Sequence, residues 1–237
     1  MWTAAELESE ARPAQGKIWR CVEHQHTIST RKLVDSLGDQ EILEDILDES
    51  KPAYPEGTEH LHYLLKTPFR YEPPHPPGSR FRRPFAEHGI FYGAETIATA
   101  LAEFGYWRSV FFNNSPGTKL PDDAENLTTF SAKYNGRVTL DLTTSPFSAH
   151  EATWMHPNDY TQTQELADLA RAAEIESIRY KSVRDPEHHC NVALLHPAAF
   201  ACTKPICQQT WYLHLSSDKI EFTRASSDEQ FVFDRIL

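Results

Sequence analysis

Apolar and polar residues follow one another along the chain with two different periods, which predict strands and helices in one domain. Short apolar or alternating segments predict strands, because successive strand side chains point to opposite faces. These strands are expected at residues 18–22, 89–93, 138–142, 177–183, 191–195, 211–215, 220–222 and 231–233. Apolar residues at helical spacing predict helices over about 95–111 and around 166–173, and two more before residue 52.

The order of these elements predicts a mixed α/β (α+β) fold dominated by a curved sheet. We expect one domain over residues 1–237, with a helical lobe near its N-terminus. Residues 1–16 are predicted to be a lightly docked lead-in, and residues 208–237 to form C-terminal strands. In the helical lobe, Ser29 or Thr30 is the expected cap of a helix that ends at Gly38, and Asp39 is the expected cap of the next.

The segment from Pro68 to Pro84 is predicted to be an ordered loop. It holds six prolines and one glycine, a composition that interrupts helices and central strands. A loop of this length inside a compact domain is usually functional or disordered, and its arginines favour a function.

The helix predicted over 95–111 starts at Glu95 and carries one further carboxylate, Glu103, on its polar side. Its apolar stripe runs through Ile97, Leu101 and Phe104. Glu103 lies two residues from Leu101, or about 200° round the helix, so it points away from most of that stripe. The spacing leaves open whether Glu103 faces solvent or a cleft.

Composition and charge narrow the classes of function. The 237 residues include 40% hydrophobic and 24% charged side chains, which are ordinary values for a globular domain with a sizeable core. A net charge of −11 argues against direct nucleic-acid binding. No apolar run approaches 18 residues, and the first residues lack the pattern of a secretory signal, so a cytoplasmic location without membrane insertion is expected.

The charge is unevenly distributed. Residues 1–60 carry 13 acidic and 6 basic side chains, whereas residues 61–84 carry five basic side chains and one acidic, Glu72. A local positive segment in an acidic protein is typical of an anion site. The alternative is that this basic segment pairs with the acidic N-terminal region.

Three side chains within about two dozen residues suit a flat-ringed anionic ligand whose sugar bond is broken. Arg80, in the run Gly78-Ser79-Arg80-Phe81, has the fork geometry that binds phosphate oxygens two at a time. Tyr92 offers a stacking face and a hydroxyl. Glu103 is able to hold a ribose hydroxyl and to stabilise oxocarbenium-like charge. A dinucleotide fits this set, and since no G-x-G-x-x-G fingerprint is present, it would bind outside a Rossmann site.

An ordered series of short motifs resembles the RES-domain proteins, a family named for an Arg, a Glu and a Ser. The matching segments are Pro68-Phe69-Arg70-Tyr71, Gly78-Ser79-Arg80-Phe81, Gly89-Ile90-Phe91-Tyr92-Gly93-Ala94, Thr99-Ala100-Leu101-Ala102-Glu103, Ile178-Arg179-Tyr180-Lys181-Ser182-Val183-Arg184 and Asn191-Val192-Ala193-Leu194-Leu195. The resemblance covers roughly residues 18 to 200. Phe81 departs from it, because many members carry Trp at this position.

The resemblance implies a fold similar to ADP-ribosyltransferases and an enzyme that consumes NAD. Family members look like bacterial toxins that cut the nicotinamide–ribose bond by phosphorolysis or hydrolysis. NAD is their substrate, phosphate is the co-substrate of the phosphorolytic route, and no other cofactor or metal is expected. An Xre-type helix-turn-helix antitoxin restrains them, and an oligomer with this antitoxin is the assembly that the resemblance implies.

The resemblance also assigns roles to residues. Arg80 would clamp the pyrophosphate, with Arg70 as a second cation and Phe81 as an apolar contact beside it. Tyr92 would flank the nicotinamide, and Glu103 would hold the ribose hydroxyls and stabilise the transition state. Ser182, on the strand predicted over 177–183, would orient the ribose or the amide.

Other constellations compete with this assignment less well. The pairs His24/His26 and His60/His62 lack the acidic companions of a metal hydrolase. The spacing of a second group fits no standard zinc pattern; its members are His188, His189, Cys190, Cys202 and Cys207. Cys190 and His189 are neighbours on a strand and so point to opposite faces, which disfavours a thiol nucleophile with its base. The remaining alternatives are a protein ADP-ribosyltransferase and a binding module without catalysis.

Overall fold

The computed structural model describes residues 2–24, 36–49, 53–70, 78–115 and 117–235. The helices of this part of the chain are α1 (Ala4–Glu10), α2 (Leu37–Glu49), α3 (Tyr63–Arg70), α4 (Ile97–Asn113), α5 (Glu151–Trp154) and α6 (Thr161–Ala172). Its strands are β1 (Arg12–Glu23), β2 (Phe91–Ala94), β3 (Glu125–Asp141), β4 (Ser177–Lys181), β5 (Cys190–Leu194), β6 (Cys207–Leu215), β7 (Lys219–Arg224) and β8 (Gln230–Asp234).

The described strands form one mixed sheet in the order β1-β2-β5-β4-β3-β6-β7-β8. β3 is its central strand. β1 and β6 both pair antiparallel with β3 over residues 127–131, so they lie on its opposite edges. β4 runs parallel to the end of β3, and β1 also pairs with β2. The strands β1, β2, β5, β4 and β3 therefore close a circuit, from which β6, β7 and β8 extend. The predicted mixed α/β class with a large sheet and flanking helices is confirmed.

Helices bury apolar side chains against three parts of this sheet. α1 and α6 pack on β3 and β4 around Leu140 and Ile178. α3 packs on β2 around Phe91. α4 packs on the β6–β7 hairpin, where Leu101 and Trp211 are fully buried. Among the described helices, none combines the length and apolar character that crossing a bilayer requires.

Within the predicted lead-in, the described residues 2–16 contain α1 and the start of β1. Thr3 caps α1 in a reciprocal arrangement, with the Thr3 backbone N–H donating to Glu6 Oε2 at 2.8 Å. β1 then begins at Arg12 and pairs with β3 along its whole length. Residues 12–17 show little alternation of apolar and polar side chains, so their pattern did not predict a strand. They are ordered by backbone hydrogen bonds to β3 and not by burial of their side chains.

Two boundaries in the helical lobe and the proline-rich segment are corrected. Gly38 does not end a helix: α2 begins at Leu37, and Ser36 caps it by accepting a hydrogen bond from the Asp39 N–H at 3.1 Å. The helix predicted before Leu37 falls mostly on residues 25–35, outside the described part. Pro68 lies inside α3 rather than in a loop, since that short helix buries Leu65 and Phe69.

Candidate functional site

A cavity of about 290 Å³ lies between α4, the strands β1 and β2, and the segment that follows β4. Three of the residues predicted from sequence line it: Arg80, Tyr92 and Glu103. Two others stand outside the lining, Phe81 and Ser182, and so does Arg70. The cavity therefore assembles the central Arg–Tyr–Glu set from a turn, a strand and a helix.

Glu103 faces the cavity and not bulk solvent, which the helical spacing left open. One carboxylate oxygen, Oε1, accepts hydrogen bonds from Ser182 Oγ and from Asn191 Nδ2, each at 2.7 Å. No hydrogen bond from the described residues reaches the other oxygen, Oε2. The carboxylate is thus held in one orientation with one oxygen available to a ligand.

Ser182 lies outside the cavity lining and donates a hydrogen bond to the Glu103 carboxylate. It is fully buried one residue after β4, and its Oγ accepts hydrogen bonds from the N–H groups of Arg184 and Asp185, both at 3.1 Å. The hydroxyl proton is therefore directed at Glu103. This differs from the expected contact with ribose or nicotinamide, because the lone pairs of Ser182 are engaged by its own turn.

Removing the Ser182 hydroxyl should destabilise the fold. In Ser182→Ala the part-buried N–H of Arg184 and the buried N–H of Asp185 lose their acceptor, and we expect a loss of about 2 to 4 kcal/mol in the free energy of unfolding. Ser109→Ala is the matched control, since this buried hydroxyl only donates to the Gly105 carbonyl within α4. It should cost less than about 1 kcal/mol. Equal stabilities of the two variants in denaturant titration would contradict this role.

Tyr92 joins the β2 strand to the turn that carries Arg80. Its hydroxyl accepts a hydrogen bond from the Phe81 N–H at 3.1 Å and shares a second with Ser79 Oγ at 2.9 Å. Burial raises the pKa of the Tyr92 phenol, so it stays protonated at neutral pH. The turn itself needs Gly78, which has φ of +83° and whose Cβ would lie 2.4 Å from the Arg82 carbonyl oxygen.

Phe81 belongs to the core. Its side chain is 1% exposed and packs edge-to-face on Tyr180, with ring centroids 4.9 Å apart. Its expected contact with the ligand is therefore replaced by a structural one, while its neighbour Arg80 points to the cavity. Through Tyr180, which lines the cavity, Phe81 supports the wall.

Arg80 is a nearly buried cation held without a carboxylate. Its Nη1 donates to the carbonyl oxygens of Trp154 at 2.6 Å and His156 at 3.1 Å. The guanidinium carbon lies 4.8 Å from the Tyr160 ring centroid. No acidic side chain of the described residues forms an ion pair with it, so its charge is available to an anion.

The basic segment 61–84 does not form a single anion site. Arg70 ends α3 and stacks on Tyr54, 4.5 Å from the ring centroid, outside the cavity lining. Arg83 pairs on the surface with Asp168 at 2.6 Å. The side chains of consecutive turn residues diverge, so the summed charge of the segment overstates the charge at the cavity.

Two residues that the sequence reasoning missed complete the site, Arg20 and Asn191. Arg20 of β1 lines the cavity and donates from Nη1 to the Tyr92 carbonyl oxygen at 2.9 Å. Burial lowers the pKa of Arg20 to about 10, and no carboxylate of the described residues pairs with it. A charge in the middle of the predicted strand 18–22 was the available signal. Asn191 is the second hydrogen-bond donor to Glu103. The one sequence signal for it was a polar side chain near the start of the strand predicted over 191–195.

The competing metal and thiol sites are not assembled. Among the described residues, no group of three or more His, Cys, Asp or Glu side chains is placed to hold a metal ion. His189 Nδ1 contacts Asp185 Oδ2 at 2.8 Å, and burial raises the pKa of the Cys190 thiol. Of the H-x-H pairs, His26 lies outside the described residues, and His24 contacts Thr128 Oγ1 at 2.9 Å. Cys190 is therefore neither paired with a base nor ionised at neutral pH.

The fold resembles that of a solved toxin–antitoxin component. The "M.tuberculosis MbcT-MbcA toxin-antitoxin complex" contains a chain that superposes with a TM-score of 0.50 and 11% identity, over 86% of this chain and 89% of that one. At this identity the likeness shows the fold alone. No curated protein matches the sequence.

The family is shown by sequence. The model of the RES domain matches residues 55–216, more than half of the chain. The protein therefore belongs to the RES-domain family, and the resemblance carried by its motifs is confirmed. The match includes Arg80, Tyr92, Glu103, Ser182 and Asn191, whereas Arg20 precedes it.

Proposed function

We propose that the protein is a toxin of a toxin–antitoxin pair that consumes NAD by cleaving its nicotinamide–ribose bond. Water or phosphate serves as the acceptor. The observation that carries this proposal is the Glu103 carboxylate, with Oε1 held by two buried donors and Oε2 without a hydrogen bond from the described residues. The cavity that Glu103 lines also presents Arg80 and Arg20, which form no ion pair with an acidic side chain of the described residues.

The chemistry requires charge stabilisation more than a strong acid or base. Nicotinamide leaves as a neutral base, and positive charge develops on the ribose as the bond ionises. A fixed carboxylate next to that ribose stabilises the charge and accepts hydrogen bonds from the ribose hydroxyls. Ser182 and Asn191 orient the carboxylate before the substrate arrives. The acceptor then attacks the carbon that nicotinamide has left.

The two arginines provide the site for the pyrophosphate. Arg80 and Arg20 both line the cavity and are bound mainly to carbonyl oxygens, so a phosphate is the partner that would neutralise them. Arg20 takes the place that the sequence reasoning gave to Arg70. Tyr92 connects the two cations, since its hydroxyl holds the Arg80 turn and its carbonyl holds Arg20.

Replacing Arg80 by Lys should weaken NAD binding about tenfold or more. A lysine keeps the charge but cannot hold the two carbonyls of residues 154 and 156 while presenting a fork to phosphate. Arg83→Lys in the same segment is the matched control, because Arg83 forms an exposed ion pair with Asp168. Calorimetric titration of both variants with NAD tests this. If Arg83→Lys weakens binding as much as Arg80→Lys, the turn does not present Arg80 to the ligand.

Incubation of the purified protein with NAD, with and without phosphate, tests the activity. Nicotinamide with ADP-ribose indicates hydrolysis, and nicotinamide with ADP-ribose-1″-phosphate indicates phosphorolysis. Label transferred to protein indicates an ADP-ribosyltransferase instead. NAD that binds and stays intact would reduce the protein to a binding module and overturn the proposal.

Restraint by a partner follows from such an activity, since an enzyme that empties the cytosol of NAD harms its own cell. The partner would be an antitoxin of the Xre helix-turn-helix type. The net charge of −11 supports a division of labour in which the partner alone contacts DNA. A carboxylate of the partner that reaches Arg80 and Arg20 is the simplest inhibitor that the charge of the cavity suits.

A further inference from the structure

The mouth of the cavity carries an exposed tryptophan, Trp107. It follows Glu103 by four residues on α4, so the two side chains share one face of the helix. Both line the cavity, but Trp107 is 48% exposed, whereas the partners of Glu103 are buried. Within the described chain, no hydrogen bond engages the Trp107 indole. The helix thus leads from the Glu103 carboxylate to a large apolar ring at the entrance.

Neighbouring side chains hold this ring in place. Tyr106 packs edge-to-face against Trp107, with centroids 5.2 Å apart and an interplanar angle of 79°. Arg184 stacks on Tyr106, with its guanidinium carbon 3.5 Å from the ring centroid, and donates to the Pro157 carbonyl oxygen. Arg184 also lines the cavity. The mouth therefore combines a preorganised aromatic row with a positive charge.

The cavity is small for a dinucleotide, so part of such a ligand would contact the residues at the cavity mouth. Ligand pockets usually span about 300 to 1,000 Å³, and this cavity, at about 290 Å³, lies at the lower limit. A dinucleotide has two bases, two riboses and a pyrophosphate. With the nicotinamide ribose at Glu103 and the pyrophosphate at Arg80 and Arg20, the adenosine half has to lie across the mouth.

We propose that Trp107 is a stacking platform for the adenine ring of NAD and makes the enzyme prefer the dinucleotide to nicotinamide mononucleotide. This inference rests on the proposed function. An adenine base suits the position because it has a flat face for the indole and carries its phosphates towards the arginines. Stacking of a base on an aromatic side chain is worth roughly 5- to 150-fold in affinity.

Nicotinamide release from two substrates separates the adenine end from the reacting end. Nicotinamide mononucleotide contains the same scissile bond but no adenosine. Trp107→Ala should lower kcat/KM for NAD about tenfold and leave kcat/KM for the mononucleotide within about threefold, while Trp107→Phe keeps most of the NAD rate. Phe111→Ala is the matched control: it removes an aromatic ring 51% exposed, one turn further along α4 and outside the cavity lining, and should change neither rate. An equal loss on both substrates, or no loss on either, would overturn the proposal.

Binding of AMP keeps the inference apart from the proposed function. AMP carries the base and a phosphate but no scissile bond, so calorimetric titration does not depend on catalysis. We expect wild type to bind AMP about tenfold more tightly than Trp107→Ala. If wild type binds AMP in this way but releases no nicotinamide, the proposed function fails while the base site stands. If AMP binds wild type and Trp107→Ala equally, or neither, the base site is wrong whatever the activity.

Discussion

Glu103→Gln should lower NAD turnover by about 10² to 10³ while the fold and NAD binding persist. The amide has nearly the same shape as the carboxylate, and its carbonyl oxygen still accepts the hydrogen bonds that Ser182 and Asn191 direct at Oε1. What is lost is the negative charge beside the ribose, which stabilises the transition state more than the ground state. The measurement is kcat for nicotinamide release, alongside Kd for NAD and the free energy of unfolding.

Glu125→Gln is the control for this exchange. Glu125 begins β3 and forms an ion pair with Arg108 of α4 at 2.7 Å, outside the cavity lining. The Glu125→Gln exchange therefore removes a carboxylate that contacts the same helix without touching the site. The kcat of the Glu125→Gln variant for nicotinamide release should stay within about twofold of wild type. Near-wild-type kcat in a folded Glu103→Gln protein would exclude Glu103 from the chemistry.

Under the proposed function, expression of the protein alone should arrest bacterial growth and deplete cellular NAD. The expected cause is turnover at the Glu103 site, so equal amounts of Glu103→Gln protein should relieve both effects. Glu125→Gln should arrest growth as wild type does. NAD is quantified in extracts at matched protein levels, verified by immunoblotting, while growth is followed by optical density.

Co-expression with the proposed antitoxin tests whether the partner inhibits the folded enzyme or removes it from the cell. If the partner blocks the cavity, growth and NAD should both recover although the toxin remains present and folded, and the purified complex should release no nicotinamide. Arrest that continues in the Glu103→Gln strain with unchanged NAD would refute the enzymatic account of toxicity and, with it, this account of restraint.

Local patterns in the sequence were enough for much of the fold. The C-terminal hairpin over 211–222 and the strand after it were predicted from alternation and appear as β6, β7 and β8. The helix over 95–111 appears as α4, shifted by about two residues because Thr96 caps it. These elements are set by periodicity and capping, which act over a few residues. The stretch predicted as a lightly docked lead-in instead contributes α1 and the first residues of β1, because pairing with the distant β3 orders that strand.

The same contrast holds for the site. The sequence by itself predicted that Arg80, Tyr92 and Glu103 belong to one site, because residue chemistry and motif order mark them, and all three line the same cavity. Only the tertiary structure shows that the Glu103 side chain faces a cavity. It also places Ser182, 79 residues away in the sequence, within hydrogen-bond distance of the Glu103 carboxylate. It also brought Arg20 to Tyr92 across 72 residues, while it left Arg70 and Phe81 outside the cavity lining. Which side chains meet depends on strand register and on the direction of each turn, and these are decided by packing between segments far apart in the chain.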